Sequence, residues 1–312
     1  MTILTVRHLT IYRYRNPVAF GEHHVMFRPR DSHDLRLLDS ALTVSPEARV
    51  RWRHDVFSNS IAVASFEAPA QELHFESRIV IDHVGREDPA FAIEPYARTY
   101  PFAYSSEEIP DLGRTVERHY PDPDRRVDAW AKDFVRTAEG PVDTLDLLLR
   151  INTALHDHLT YRRRHGLGTQ SPTETLDLGG GSCRDYALFM MEAVRALGFA
   201  ARFVSGYLYD PAVEKAGTVS RTQGAGNTHA WVEVYLPGAG WVEFDPTNGR
   251  AGGSNLIRVA VARDPSQAIP LHGTFYGAAD SFLDMTVQVE VRRGQPQASR
   301  TAQTAFSLAA AG

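Results

Sequence analysis

Short runs of alternating apolar and polar residues fill the start of the chain: Leu4 to Tyr14, His24 to Phe27, Leu37 to Val44, Val50 to Arg53, Ser60 to Phe66 and Leu73 to Val84. Their period of two, rich in β-branched and aromatic residues, predicts strands. With no helical pattern between them, they predict an N-terminal β-sandwich over residues 1–84. From 85 to 124 prolines recur at 89, 95, 101, 110, 121 and 123, the mark of a connector laid along the surface. The period then becomes helical. Val127, Trp130, Ala131, Phe134 and Val135 share one stripe over 125–138, and Leu147, Leu148, Ile151, Leu155 and Leu159 share another over 144–159. A third helix is predicted from Cys183 to Leu197, and strand patterns return at 200–209, 229–236, 240–244, 256–262 and 285–291. Residues 125–293 therefore read as an α+β domain, and the small, polar stretch 294–312 as a frayed tail.

Composition narrows the function. At 312 residues, 43% hydrophobic and 23% charged, the chain can bury a large core without staples. A net charge of −5 provides no global positive field, which argues against nucleic acid or an anionic membrane as main partner. The arginine runs 162–164 and 49/51/53 are short and read as solvated faces. Cys183 is the sole cysteine, so intrachain disulfides and multi-cysteine zinc sites are excluded and a reducing compartment fits. Neither a basic, apolar leader nor an eighteen-residue apolar run is found, and the expected location is cytoplasmic, without an anchor.

Cys183 is the first candidate for chemistry. It follows Gly179-Gly180-Gly181-Ser182, and an apolar stretch runs from it to Leu197-Gly198, where a C-capping glycine belongs. Ser182 is a natural N-cap, and Asp185 three residues on makes a capping-box variant. Cys183 then sits in the first helical turn, where the helix end favours a thiolate. Its N–H and that of Arg184 are first-turn amides able to bind an oxyanion. A small buried hydrophobe is the plain alternative for a lone cysteine.

Two alternating runs, Asn227 to Leu236 and Gly240 to Phe244, flank Pro237-Gly238 and predict a hairpin. A turn centred near Gly238 pairs residues whose numbers sum to about 476. Trp231 then faces Asp245, with His229 one diagonal step away and within hydrogen-bond reach of the carboxylate. Ala230, Val232, Val234, Leu236, Val242 and Phe244 form the opposite, apolar face. A cysteine, a histidine and an aspartate supply a nucleophile, a base and a carboxylate that fixes the imidazole. An ordinary strand histidine and a turn aspartate before Pro246 are the alternatives, and the joint geometry favours one shared site.

The stretches Gly181-Ser182-Cys183-Arg184-Asp185-Tyr186, Ala200 to Tyr207, Thr228 to Tyr235 and Gly240 to Asn248 closely resemble the bacterial branch of the transglutaminase-like superfamily. The β-rich start is similar to the N-terminal domain that precedes such cores. The resemblance implies a papain-like, cysteine-catalytic core with Cys183 as nucleophile, His229 as base and Asp245 as orienter. It implies thiol-dependent acyl transfer or hydrolysis on glutamine carboxamide, peptide or isopeptide bonds through a thioester, as a peptidase or amidase more than a protein cross-linker. A protein or peptide is the expected partner, with no cofactor and no metal, and the calcium sites of the animal enzymes have no counterpart here. Tyr161 and Arg184 are weak oxyanion candidates, and Trp231 and Trp241 weak substrate-binding ones that equally fit the core.

Three other readings fit the sequence less well. Acyl transfer from a thioester cofactor, as in arylamine N-acetyltransferases, needs a different glycine–arginine context around the cysteine. A non-catalytic scaffold retaining the fold finds no support in a missing triad member. Metal catalysis fails on spacing, because His23-His24 and His156-Asp157-His158 lack that of a paired helical zinc site. The long stretch from Pro211 to Gly226 is a candidate lid over the site.

Overall fold

A computed structural model describes residues 2–84, 91–136, 140–164, 166, 168–211, 223, 226–253 and 255–294. Each alternating run near the start forms a strand: β1 (Thr2–Phe20), β2 (His23–Val25), β3 (Leu35–Ser45), β4 (Ala48–His54), β5 (Ser60–Phe66) and β6 (Ala70–His83). In β1 every second residue, Leu4, Val6, His8 and Thr10, is buried, as the pleat requires. In one antiparallel sheet β6 lies between β3 and β1, and in another β5 lies between β2 and β4. Tyr14, Phe20, Leu73 and Phe75 of the first share an apolar cluster with Val25, Ala62 and Ala64 of the second.

The proline-rich stretch carries β7 (Thr99–Tyr100) and the short helix α1 (Glu108–Leu112). It is more than a surface connector. Ile93, Ala97 and Leu112 are buried, and the Tyr104 hydroxyl donates to Tyr235 O and accepts the Ala200 N–H, both at 2.9 Å. Prolines limit ladder pairing, yet they leave neighbouring side chains free to plug the edge of a core.

The second half contains α2 (Arg126–Arg136), β8 (Val142–Asp143), α3 (Thr144–His158), β9 (Thr160–Tyr161), α4 (Pro172–Leu178), β10 (Gly180–Gly181), α5 (Cys183–Ala196), β11 (Ala201–Leu208), β12 (Thr228–Leu236), β13 (Gly240–Asp245), β14 (Arg250–Ala251) and β15 (Leu256–Ala262). Five strands form one sheet in the order β14-β13-β12-β11-β15. Its apolar face, with Ala230, Val232, Val234, Leu236, Val242 and Phe244, packs with α2, α3 and α5 in the largest core cluster. Tyr207, Ile257 and Val259 on the other side pack against Leu4, Val6, Ile79 and Ile81 of the N-terminal sheet. Each such side chain contributes roughly 1.5–3 kcal/mol when fully buried. The sheet is thus covered on both faces.

The last described strands are β16 (Leu271–His272), β17 (Phe275–Tyr276) and β18 (Phe282–Arg293). The strand predicted at 285–291 exists, but its place differs from the expectation that it completes the α+β domain. It pairs antiparallel with β1 over Leu4–Tyr14, while β16 joins β2 and β17 joins the end of β1. With β6 on one side only, the long β1 would leave a row of unpaired amides on the other, and the returning chain fills it. Among the described residues, no helix is long and apolar enough to cross a membrane.

Candidate active site

The sequence from Ser182 onward folds as a helix because its cap and its apolar content agree. Ser182 takes an extended conformation at the N-cap, and the Asp185 carboxylate accepts its N–H at 2.7 Å. At the far end Gly198 adopts φ +91°, and the Gly198 and Phe199 N–H groups reach back to Arg195 O and Val194 O. The charged residues in the second half of α5 do not face solvent. Glu192 and Arg195 are buried and paired at 3.0 Å; Glu192 accepts from the His119 N–H, and Arg195 donates to Thr115 O and Ala201 O. The helix is therefore enclosed on all sides, with its N-terminus presented beyond the glycine loop.

That loop is shaped by close approach. Gly180 and Gly181 pair in parallel with Thr160 and Tyr161, and a Cβ on Gly180 would overlap the Thr160 carbonyl oxygen. The pairing sets Tyr161 beside the residues leading into Cys183. Burial and the nearby Cys183 push the Tyr161 phenol up to about 12, so it is a proton donor at neutral pH. The Arg184 guanidinium donates to Gly166 O at 3.2 Å.

Hairpin β12–β13 has the predicted register: Val232 pairs with Phe244, Glu233 with Glu243 and Tyr235 with Trp241. The diagonal contact follows, with His229 Nε2 and Asp245 Oδ2 2.8 Å apart. Asp245 Oδ2 also accepts Asn248 Nδ2 at 2.7 Å, while Oδ1 accepts the N–H groups of Thr247 and Asn248 at 3.0 and 3.3 Å. These bonds and the facing imidazole hold its carboxyl below the usual range, against the upward push of burial. His229 Nδ1 has no hydrogen-bond partner of ordinary geometry. Burial would lower the imidazole pKa, but the Asp245 charge and the adjacent Cys183 outweigh it and raise the value to about 10. Cys183, His229 and Asp245 are 8%, 1% and 3% exposed. The structure thus brings the three together in a nearly closed site.

The two tryptophans have different surroundings. Trp231 is fully buried, stacks on the His229 ring at 6.0 Å and donates Nε1–H to Glu243 at 3.2 Å. It supports the imidazole from within the core. Trp241 lies under the Arg202 guanidinium, 4.1 Å from its ring centroid. It lines a separate cavity of about 430 Å³ with Arg202, Glu233, Glu243 and Arg258, which neither Cys183 nor His229 reaches. Alternation places residues on a face but cannot say what distant segment covers it; Phe57 and Val261 cluster with Trp231.

Two features escaped the sequence. Asn248 anchors Asp245, a role its place three residues after Asp245 in an Asp-Pro turn could have signalled. Arg164 is no solvated-face arginine, because it pairs with buried Asp185 at 2.9 Å. Of the candidate lid, residues 212–222 and 224–225 lie outside the described residues. Among the described residues, no group of three or more His, Cys, Asp and Glu is placed to hold a metal ion. His23 Nδ1 faces Gly21 O and His156 Nδ1 faces Thr247 O, both at 2.9 Å.

Residues 4–82 match the bacterial transglutaminase-like N-terminal region, and residues 128–246 match the transglutaminase-like superfamily. An uncharacterized protein of Mycobacterium tuberculosis is 28% identical over 297 residues, 91% of each chain. One from Mycobacterium leprae is 24% identical over 291 residues, 92% of this chain and 98% of that one. The crystal structure of a candidate cysteine protease from Cytophaga hutchinsonii has the same fold, with a TM-score of 0.68 at 17% identity over 96% of this chain and 92% of its own. The chain thus matches a bacterial transglutaminase-like N-terminal region ahead of a transglutaminase-like core, in a papain-like fold of mixed helix and strand.

Proposed function

We propose that the protein is a thiol-dependent peptidase or amidase that cleaves peptide, isopeptide or glutamine carboxamide bonds through a Cys183–His229–Asp245 triad. The observation that carries this reading is a buried imidazole fixed by Asp245 through Nε2, with Cys183 beside it at the opening of α5. In the proposed reaction the Cys183 thiolate attacks the carbonyl carbon, and the C=O electron pair moves onto oxygen. First-turn N–H groups of Cys183 and Arg184, with the Tyr161 hydroxyl, would meet that oxyanion. Arg184 would act through its backbone, because its side chain is turned to Gly166. As the oxyanion collapses, the C–N bond breaks, imidazolium gives its proton to the departing amine or ammonia, and a thioester remains. Water, losing a proton to His229, then attacks the thioester and releases acid and thiolate. The triad's burial strengthens the electrostatic coupling between its charges, which supports a shared thiolate–imidazolium site. The two N-terminal sheets, read as a β-sandwich, would flank the core and help present a protein or peptide substrate.

The test is incubation with glutamine-containing peptides, isopeptides and activated esters, with and without a primary amine, followed by mass spectrometry and ammonia release. The expected products are acids formed without added amine, and none with Cys183→Ala. Amine incorporation as the main product would make the enzyme a cross-linker. Binding of peptides without any turnover would make it a scaffold.

A further inference from the structure

The Asp185 carboxylate is fully buried beneath the first turn of α5. It collects the Ser182 N–H and hydroxyl and the Gln170 N–H, each at 2.7 Å. Arg164 adds Nε at 2.9 Å and Nη2 at 3.2 Å. Capping accounts for the bonds to Ser182 alone. Burial alone would push this carboxyl up, but the Arg164 guanidinium and the converging N–H groups hold it below the usual range.

The donors come from three separate segments. Arg164 follows β9, Gln170 precedes α4, and Ser182 opens α5. Between them, β9 and β10 are a two-residue ladder, extended by Thr160 N–H to Gly179 O and Arg162 N–H to Gly181 O. So short a ladder has little independent stability. It nevertheless fixes Tyr161, whose hydroxyl is the side-chain donor proposed for the oxyanion. A charge-assisted, two-pronged contact from Arg164 to Asp185 ties the segment carrying Tyr161 directly to the turn carrying Cys183.

We propose that Arg164 and Asp185 are a positioning pair that sets Tyr161 and the first turn of α5 relative to each other. The proposal rests on Cys183 being the nucleophile, and neither member of the pair touches substrate. Four variants test it: Arg164→Met, Arg164→Lys, Asp185→Asn and the double Arg164→Met/Asp185→Asn, which leaves no unpaired buried charge if a single change fails to fold. Exposed Arg163→Met controls for the loss of one nearby positive charge.

Expected in Arg164→Met and the double variant is a fall in kcat of at least about 30-fold with KM within about threefold, as small misplacements produce. Iodoacetamide labelling of Cys183 at pH 7 should slow by about tenfold. Arg164→Lys, which keeps the charge but not the two-pronged geometry, should recover part of both, and Arg163→Met should stay within about twofold of the parent. Folded Arg164→Met and Asp185→Asn proteins that keep the parent's turnover and labelling rates would overturn the proposal. So would a loss that lysine does not restore and that tracks melting temperature. If the parent turns nothing over, the functional reading fails, while the labelling arm still decides the positioning role.

Discussion

Cys183→Ala should abolish turnover, lowering kcat/KM by at least about 10⁴-fold, because removing a nucleophile leaves only binding and oxyanion stabilisation. The fold should survive the change. Cys183 occupies the first turn of α5 and is nearly buried; alanine suits a helix and loses a single sulfur, costing about 1 kcal/mol. Stability and activity thus separate in this variant. Cys183→Ser should be almost as inactive, since an alcohol is much harder to ionise than a thiol. Kinetics on whichever ester or amide the parent cleaves, beside thermal melts of all three proteins, make the comparison. Unchanged turnover in Cys183→Ala would place the chemistry elsewhere.

Asp245→Asn should lower turnover by about 10²–10⁴-fold and also change how stability depends on pH. The carboxylate now takes His229 and the Asn248 side chain on Oδ2, and two backbone N–H groups on Oδ1. An amide has one oxygen and one NH₂, so either orientation turns a donor toward two of these donors. The charge that supports the imidazolium is lost as well. The sign for the parent follows from the shifted values. His229 is raised to about 10 in the folded protein, against about 6.5 when unfolded. Its stabilisation is complete below about 6.5 and declines as pH rises toward about 10. Asp245 is lowered, so its contribution is present above about 3.8 and is lost as pH falls through the folded value. Melting temperatures from pH 6 to 10 should fall more steeply in the parent than in Asp245→Asn; parallel curves would contradict the paired state.

The site was legible where short-range rules suffice. Pro237-Gly238 centres the turn, the period of two then fixes every partner, and His229 meets Asp245 without tertiary information. Ser182, Asp185 and the glycines likewise mark the start of α5 within a few residues. What was not legible depends on distant segments. Nothing local in Phe282–Arg293 names β1 as its partner, because register rules act only once the neighbouring strand is known. Arg164 looks like part of a solvated run until the fold brings Asp185, 21 residues away, beneath it. The helix α4 is only seven residues long, too short to show a periodic apolar stripe, although Ser171 and Glu174 form a capping box at its start.

The most direct measurement is the rate of iodoacetamide modification of Cys183, the sole cysteine, between pH 5 and 9 in the parent and in His229→Ala. A thiolate paired with an imidazolium labels rapidly at pH 6, and loss of His229 should slow that rate by at least about tenfold. Equal rates and equal pH dependence in the two proteins would contradict an assembled Cys183–His229 pair.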